Sequence, residues 1–493
     1  LPLSQDRAVA VSSAVVRDKA TVSKSRELHT AGSGFAQEAR ARMTAPLPDD
    51  DDDIQVSVED VLQYADVHVG NIKVTGNVKT NTAFILNEID LQGVRSLSDI
   101  VESCQYAHED LKQLGIFETV NISLEKGSKG GAVDITVDVK EAQPLQVSTG
   151  AEFDSVESSL KLEGVYRNAF GRAESIRLSG LYGLNESGAF DIGYHKPRLY
   201  GTRGTLDTNA FLTQINRSRF SSHILGVRGF SAHAVDPTGT FSLGYEGVLR
   251  DVIVSGKEAS RSIVRDARTS VKSSIITRIA LDTRDSPFLP SKGSLLSIKN
   301  EFAIPIGGDA TFVKCNVDSQ FYQPLGQYFT FGLSVKSGLL LPCLYGTAPR
   351  PSHGQGTSQT QLPDRFLYGG PLELRGFGQH SVGPRDGKDM LGGDALLAGA
   401  ANLTFALPHP LLRQLDIRGH IFANCANVVS LTDGSPKRGQ LRKLLADMRA
   451  SVGIGVVIPT PAGRVELNYA RPVKAFPHDR THQFQFGISA NFL

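Results

Sequence analysis

Ser451-Val452-Gly453-Ile454-Gly455-Val456-Val457-Ile458, then Arg464-Val465-Glu466-Leu467-Asn468-Tyr469, then Gln483-Phe484-Gln485-Phe486-Gly487-Ile488-Ser489-Ala490-Asn491-Phe492, are the stretches on which the fold turns. In each, apolar residues alternate with polar or small ones, the period of a β-strand whose successive side chains point to opposite faces. Val452, Ile454, Val456 and Ile458 share one face, while Ser451, Gly453 and Gly455 share the other. Phe484, Phe486, Ile488, Ala490 and Phe492 likewise oppose Gln483, Gln485, Gly487, Ser489 and Asn491. One face suits lipid and the other a wet lumen.

Working outward, the same alternation recurs from residue 144 to the end in about sixteen segments, the first near 145–153 and the last near 482–492. An even number of long antiparallel strands suits a closed barrel, which has no edge left to pair. The competing soluble sandwich or propeller would call for shorter strands or a blade-length repeat. No run approaches the ~18–20 apolar residues of a membrane helix, and the mean hydropathy is only −0.14. Neither counts against a barrel, since only alternate residues of a spanning strand face lipid. The lack of tryptophan leaves any interfacial girdle to the 12 Tyr and 24 Phe.

Upstream the pattern changes. Residues 1–58 are rich in Ser, Ala and Thr, show no period and end in the pentad Asp49 to Asp53, so they are read as a disordered segment closed by a solvated linker. They lack the basic start and apolar core of a secretory signal, and acidic residues interrupt their Lys and Arg, which leaves an organelle presequence open. Residues 59–143 read as a small α+β domain in the order β-α-α-β-β. Its strands fall near 67–74, 120–124 and 133–139, with helical spacing over 82–89 and 97–114 stopped by Gly115.

Composition narrows the function classes. A formal net charge of +1 supplies no field for nucleic acid. Cys104, Cys315, Cys343 and Cys425 are too scattered for a zinc site or a disulfide framework. Walker, H-E-x-x-H and G-x-S-x-G motifs are missing, and the 12 histidines form no ligand-spaced cluster. His195, His420 and His482 are therefore read as lumen or interface side chains. No catalytic residue, metal or cofactor is expected.

Several motifs resemble those of the outer-membrane β-barrel assembly superfamily, the BamA-like proteins: Asn168-Ala169-Phe170-Gly171, Lys196-Pro197-Arg198, and Asp282-Thr283-Arg284-Asp285 through Pro290 and Gly293. The most specific is Tyr368-Gly369-Gly370-Pro371-Leu372-Glu373-Leu374-Arg375-Gly376-Phe377 followed by Gly392-Gly393-Asp394, within the longest connection between strands. The resemblance implies a sixteen-stranded transmembrane barrel over 144–493 behind one POTRA-like domain at 59–143. It further implies that the connection folds into the lumen, with Leu374, Arg375, Gly376 and Phe377 as its motif and Arg375 pinned to the inner wall. Bacterial relatives carry acids where Thr404 and Asn424 stand here, so Asp416, Asn424 and Glu466 are candidate partners. Val227-Arg228-Gly229-Phe230 repeats the tetrapeptide's pattern inside an alternating strand and is read as coincidence.

Within the superfamily, one POTRA-like domain and the ending Gln485-x-Gly487-x-x-Ala490-x-Phe492 resemble the mitochondrial sorting and assembly machinery channel more than its bacterial counterpart. That likeness implies insertion of unfolded β-barrel precursor proteins into the mitochondrial outer membrane through a seam between first and last strands. Its implied partners are metaxin-type peripheral accessory subunits and the lipid bilayer, with no nucleic acid. A protein-translocating channel or insertase of a plastid envelope or bacterial outer membrane is the alternative, and the POTRA-like domain and lumen loop disfavour a metabolite porin.

Overall fold

The computed structural model describes residues 67–489 apart from breaks at 92–93, 95, 128–130, 154–157, 184, 257, 306, 344–359, 432–437 and 461–462. The proposed disordered segment, and Ala490 and Phe492 of the terminal pattern, lie outside the described residues.

The small domain comprises β1 (His68–Thr75), α1 (Thr82–Leu86), α2 (Leu97–Gln113), β2 (Phe117–Lys126) and β3 (Ala132–Glu141). Both helices begin where the sequence supplies a cap. Asn81 accepts the Ala83 amide, and Ser96 and Asp99 form a reciprocal capping box at 3.0 and 3.2 Å. One face of α2 buries Ile100, Cys104, Ala107 and Leu111 against Ile135, Val137 and Val139 of β3, the central strand of the order β1-β3-β2. This is the two-layer packing that the alternation and helical spacing lead one to expect.

The second sheet holds 16 strands, each hydrogen-bonded to its neighbours. They are β4 (Leu145–Phe153), β5 (Ser158–Arg167), β6 (Ser175–Gly183), β7 (Gly188–Lys196), β8 (Thr205–Asn216), β9 (His223–Val235), β10 (Phe241–Val254), β11 (Thr269–Asp282), β12 (Gly293–Ala303), β13 (Phe312–Leu325) and β14 (Phe329–Pro342). After the long connection, with its short hairpin β15 (Arg385–Asp386) and β16 (Asp389–Met390), come β17 (Ala395–Ala406), β18 (Arg418–Val429), β19 (Arg449–Thr460), β20 (Gly463–Lys474) and β21 (Phe484–Ser489). Short helices α3 (Arg261–Asp266), α4 (Pro410–Gln414) and α5 (Arg438–Ala446) sit in the connections. No described helix is long and apolar enough to cross a membrane, whereas the antiparallel ladders satisfy the backbone from strand to strand, the condition for spanning lipid. The ends of the sheet come alongside each other at β4 and β21, yet among the described residues no ladder joins them.

Alternation sorts the faces as expected. Val452, Ile454, Leu467, Phe484 and Phe486 are exposed on the outer surface, while Ser451, Glu466 and Asn468 are buried within. The wet-lumen expectation needs correction for these strands. The long connection covers their inner face, so Glu466 is fully buried. Gly453 and Gly455 stand where neighbouring groups come close. A Cβ on Gly453 would lie 2.3 Å from the Tyr469 carbonyl oxygen, and one on Gly455 2.2 Å from Asn468 Oδ1, so glycine here permits close approach.

The motifs at 168–171 and 196–198 join the two domains. Asn168 donates to Thr80 Oγ1 at 2.8 Å, the Asn81 amide donates to the Gly171 carbonyl at 2.8 Å, and Ala173 enters the small domain's core. Gly171 adopts φ +82°, where a Cβ would meet the Lys79 carbonyl at 2.6 Å. Arg198 forks onto Glu88 at 2.6 to 2.9 Å, and Arg203 reaches Asp110 at 2.6 Å.

Glu141 fastens the linker segment after β1 from the end of β3: its carboxylate accepts the amides of Val78, Lys79 and Thr80 and the Thr80 hydroxyl. Burial opposes its ionisation, but these hydrogen bonds outweigh it and hold the carboxyl below its ordinary range. A depressed carboxyl contributes stability at pH values above its unfolded pKa and loses it as pH falls through the folded one. Protection of the Lys79 and Thr80 amides relative to their intrinsic exchange rates should therefore be high at neutral pH and fall on acidification below about pH 4. Glu141→Gln should lose about 1 kcal/mol of that protection at pH 7. Unchanged exchange in the variant would contradict this role.

Candidate functional site: the lumen loop and its anchors

The sequence of the long connection explains why it turns sharply. Gly369 and Gly370 adopt φ of +122° and +128°, a region closed to most side chains, and Gly376 adopts +89°. Glu373 steadies the turn by accepting the Gly369 amide at 3.1 Å. This bend delivers Leu374 and Phe377, both fully buried, and Arg375 to the inner wall of β18 to β20.

There Arg375 meets Glu466. Nε and Nη2 donate to the two carboxylate oxygens at 2.9 and 3.0 Å, a planar fork that lysine cannot make. Glu466 is further held by Arg464 at 2.7 Å and Asn468 at 2.9 Å, and Asn468 Oδ1 meets His420 Nε2 at 2.7 Å. The guanidinium lies 4.9 Å from the centre of the Phe422 ring. The backbone is gripped as well: Ser451 Oγ and Asn424 Nδ2 both donate to the Arg375 carbonyl, Asn424 at 3.2 Å. A Cβ on Gly376 would press at 3.2 Å on both Ser451 and Ala470, so this residue must be small.

Of the three candidate partners, the structure thus brings two to Arg375, Glu466 to its side chain and Asn424 to its carbonyl. Asp416 is a correction. It precedes β18, outside the alternation that would turn it inward, adopts φ +51° and pairs with Arg418 at 2.9 Å. Gln485 of the last strand also joins the site, accepting the Gly376 amide at 2.6 Å and donating to the Phe377 carbonyl at 2.7 Å. Gly487 lies beneath Leu372 and Pro371. The look-alike Arg228 sits in β9 and faces outward beside Asp251.

A second set of anchors escaped the sequence reading. Asp364, at the loop's start, is buried against Arg250 of β10, whose other arm donates to Gln361 at 2.7 Å. Lys314 of β13 donates to the Asp364 carbonyl at 2.8 Å. β10 and β20 are the seventh and fifteenth strands of sixteen, half the sheet apart, so the loop ties opposite walls. Farther along, Asp389 accepts the Ser222 and Ser260 amides at 2.8 and 2.7 Å, and Asp394 accepts the Leu431 amide at 2.8 Å. Arg250 and Asp364 stand 114 residues apart with no shared motif, so only the fold could pair them.

Removing one member of a buried pair leaves an uncompensated charge, at a cost of about 3–5 kcal/mol. Arg250→Asp or Asp364→Arg alone should therefore release the segment near 361–366 to proteolysis in the membrane-embedded protein. The double exchange should restore much of the protection. Equal cleavage of the single and double variants would rule out direct pairing.

Comparison with known proteins places these features. The Omp85 superfamily domain matches residues 168–492, and the surface antigen variable number repeat, or POTRA, matches residues 67–142. Sorting and assembly machinery component 50 homolog B of Xenopus laevis is 31% identical over 461 residues, covering 90% of this chain and 96% of that one. The human homolog is 30% identical over 448 residues, with 88% and 92% covered. Among solved structures, BamA from Haemophilus ducreyi lacking POTRA domains 1–3 shares the fold with a TM-score of 0.72 at 21% identity, covering 86% of this chain and 85% of that one. With a POTRA domain ahead of a sixteen-stranded sheet and a family match across most of that sheet, the chain belongs to the Omp85 superfamily, alongside the sorting and assembly machinery component 50 homologues.

Proposed function

We propose that this protein inserts β-barrel precursor proteins into the mitochondrial outer membrane, using the seam between β4 and β21 as a template. The observation that carries the reading is the state of the seam: residues 145–150 are exposed, and among the described residues neither β4 nor β21 has a ladder on its seam side. A precursor strand cannot enter hydrocarbon with its N–H and C=O groups unpaired. A free strand edge offers those groups partners by β-augmentation, largely independent of the client's side chains. Likeness to sorting and assembly machinery component 50 homologues over about nine tenths of the chain supports this function over a translocating channel of a plastid envelope or bacterial membrane. Metaxin-type peripheral subunits and the bilayer complete the proposed partners.

In this reading the lumen loop serves insertion by fixing the wall beside the seam. The motif Leu374, Arg375, Gly376 and Phe377 reaches β20 through Glu466 and β21 through Gln485, so the final strand is held from within. Arg375→Ala should slow assembly of an imported barrel precursor and expose the loop to protease, and Arg375→Lys should restore assembly only partly. Assembly at the wild-type rate with an equally protected loop would leave the motif without this role. The domain division belongs to the same proposal: deleting residues 60–140 should leave a heat-modifiable barrel that handles clients poorly. Loss of membrane integration on that deletion would argue against it, and a tagged chain found outside mitochondria would shift the assignment to the alternative membrane.

A further inference from the structure

On the lipid-facing side of the barrel, Asn427 of β18 is placed where a polar side chain is costly. It shares the outward parity of the exposed Ile421, yet is only 1% exposed. What covers it is α5, in the connection between β18 and β19. Asn427 Nδ2 donates to the Lys443 and Leu444 carbonyls at 3.2 and 3.0 Å, and Lys474 Nζ donates to the Ala446 carbonyl at 2.6 Å. Leu444 joins Ala395 and Leu431 in an apolar cluster against which Leu339, Leu341, Leu397 and Val429 of the outer wall pack. A helix is therefore fastened to the outside of the barrel. Because β4 leaves the POTRA domain and the strands alternate in direction, the connection from the thirteenth strand to the fourteenth lies at the opposite membrane surface.

The uncovered part of α5 is amphipathic and basic. Leu445 is 64% exposed, Arg442 and Lys443 are exposed, and Arg438 to Ala446 contains no acidic residue. On a helix, Leu445 follows Leu444 by about 100° toward one flank, and Arg442 and Lys443 add two exposed cations to the surface turned away from Leu444. An apolar flank beside a basic one, held at the rim of a lipid-facing wall, has the makeup of a helix lying in the plane of the headgroups. We infer that α5 binds anionic phospholipids of the leaflet opposite the POTRA domain, with Arg442 and Lys443 facing the headgroup phosphates and Leu445 the upper acyl chains.

The chain contains no tryptophan, so a single introduced one reports its own surroundings. Full-length protein carrying Leu445→Trp would be reconstituted into phosphatidylcholine vesicles containing brominated phosphatidylglycerol or brominated phosphatidylcholine, and quenching compared. Both lipids should quench, the anionic one associating between about five- and twenty-fivefold more strongly, about fivefold for each basic residue near the surface. The preference should shrink as salt is raised. Arg442→Gln with Lys443→Gln should bring the ratio to about one, as should a Leu467→Trp reporter on the outer face of β20. Heat-modifiable migration would verify that each barrel is folded, and the salt titration tests the unaltered helix should the double variant misfold. Absence of quenching by either lipid, as for a helix in water or under a protein partner, overturns the assignment. So does an equal response to the two lipids, or a preference untouched by charge removal and salt.

Discussion

Backbone hydrogen bonding sets the terms for everything else in this molecule. A chain that crosses hydrocarbon by strands must pair each N–H and C=O with a neighbouring strand, and sixteen consecutive antiparallel strands do this over nearly the whole sheet. The pairing fixes the register, and the register fixes which side chains look inward. Once Ile421, Val452, Ile454 and Leu467 face out, Asn424, Ser451, Glu466 and Asn468 must face in, where they form one polar cluster. That cluster receives the loop.

A buried carboxylate among lumen-facing side chains is unfavourable unless its charge is answered. Glu466 is answered twice, by Arg464 from its own strand and by Arg375 from the loop. The second answer orders a long connection, which costs conformational entropy. Contacts along its length offset that cost: Asp364 with Arg250 at one wall, the Arg375 carbonyl with Ser451 and Asn424 at the other, and Asp389 and Asp394 between. The loop is thus a strut between opposite walls and ends against the last strand. Nothing comparable reaches β4 among the described residues, so the two sides of the seam differ in how they are supported.

The POTRA domain is placed by the same kind of constraint. Its docking surface combines main-chain hydrogen bonds to Gly171, the buried Ala173 and the forked contact of Arg198 with Glu88, each at a backbone position of positive φ. Left-handed residues in the barrel's turns present carbonyls and side chains toward α1 and α2, and a regular hairpin would not.

Much of this was legible in the residues alone. Alternation gave the strands because its period is a property of each strand by itself, and capping and helical spacing gave α1 and α2 for the same reason. The tetrapeptide at 374–377 was marked by its resemblance, and the inward parity of Glu466 followed from the alternation of β20. Asp416 was misjudged because it lies just before its strand, where parity has no force. The pairing of Arg250 with Asp364, the helix that shields Asn427, and the dry inner face of β18 to β20 left no local trace. Each depends on two segments far apart in sequence meeting in space. Sequence by itself determined the strands and their faces, because backbone geometry is local; tertiary structure alone decided which buried charge meets which, because that depends on closure of the chain around its own loop.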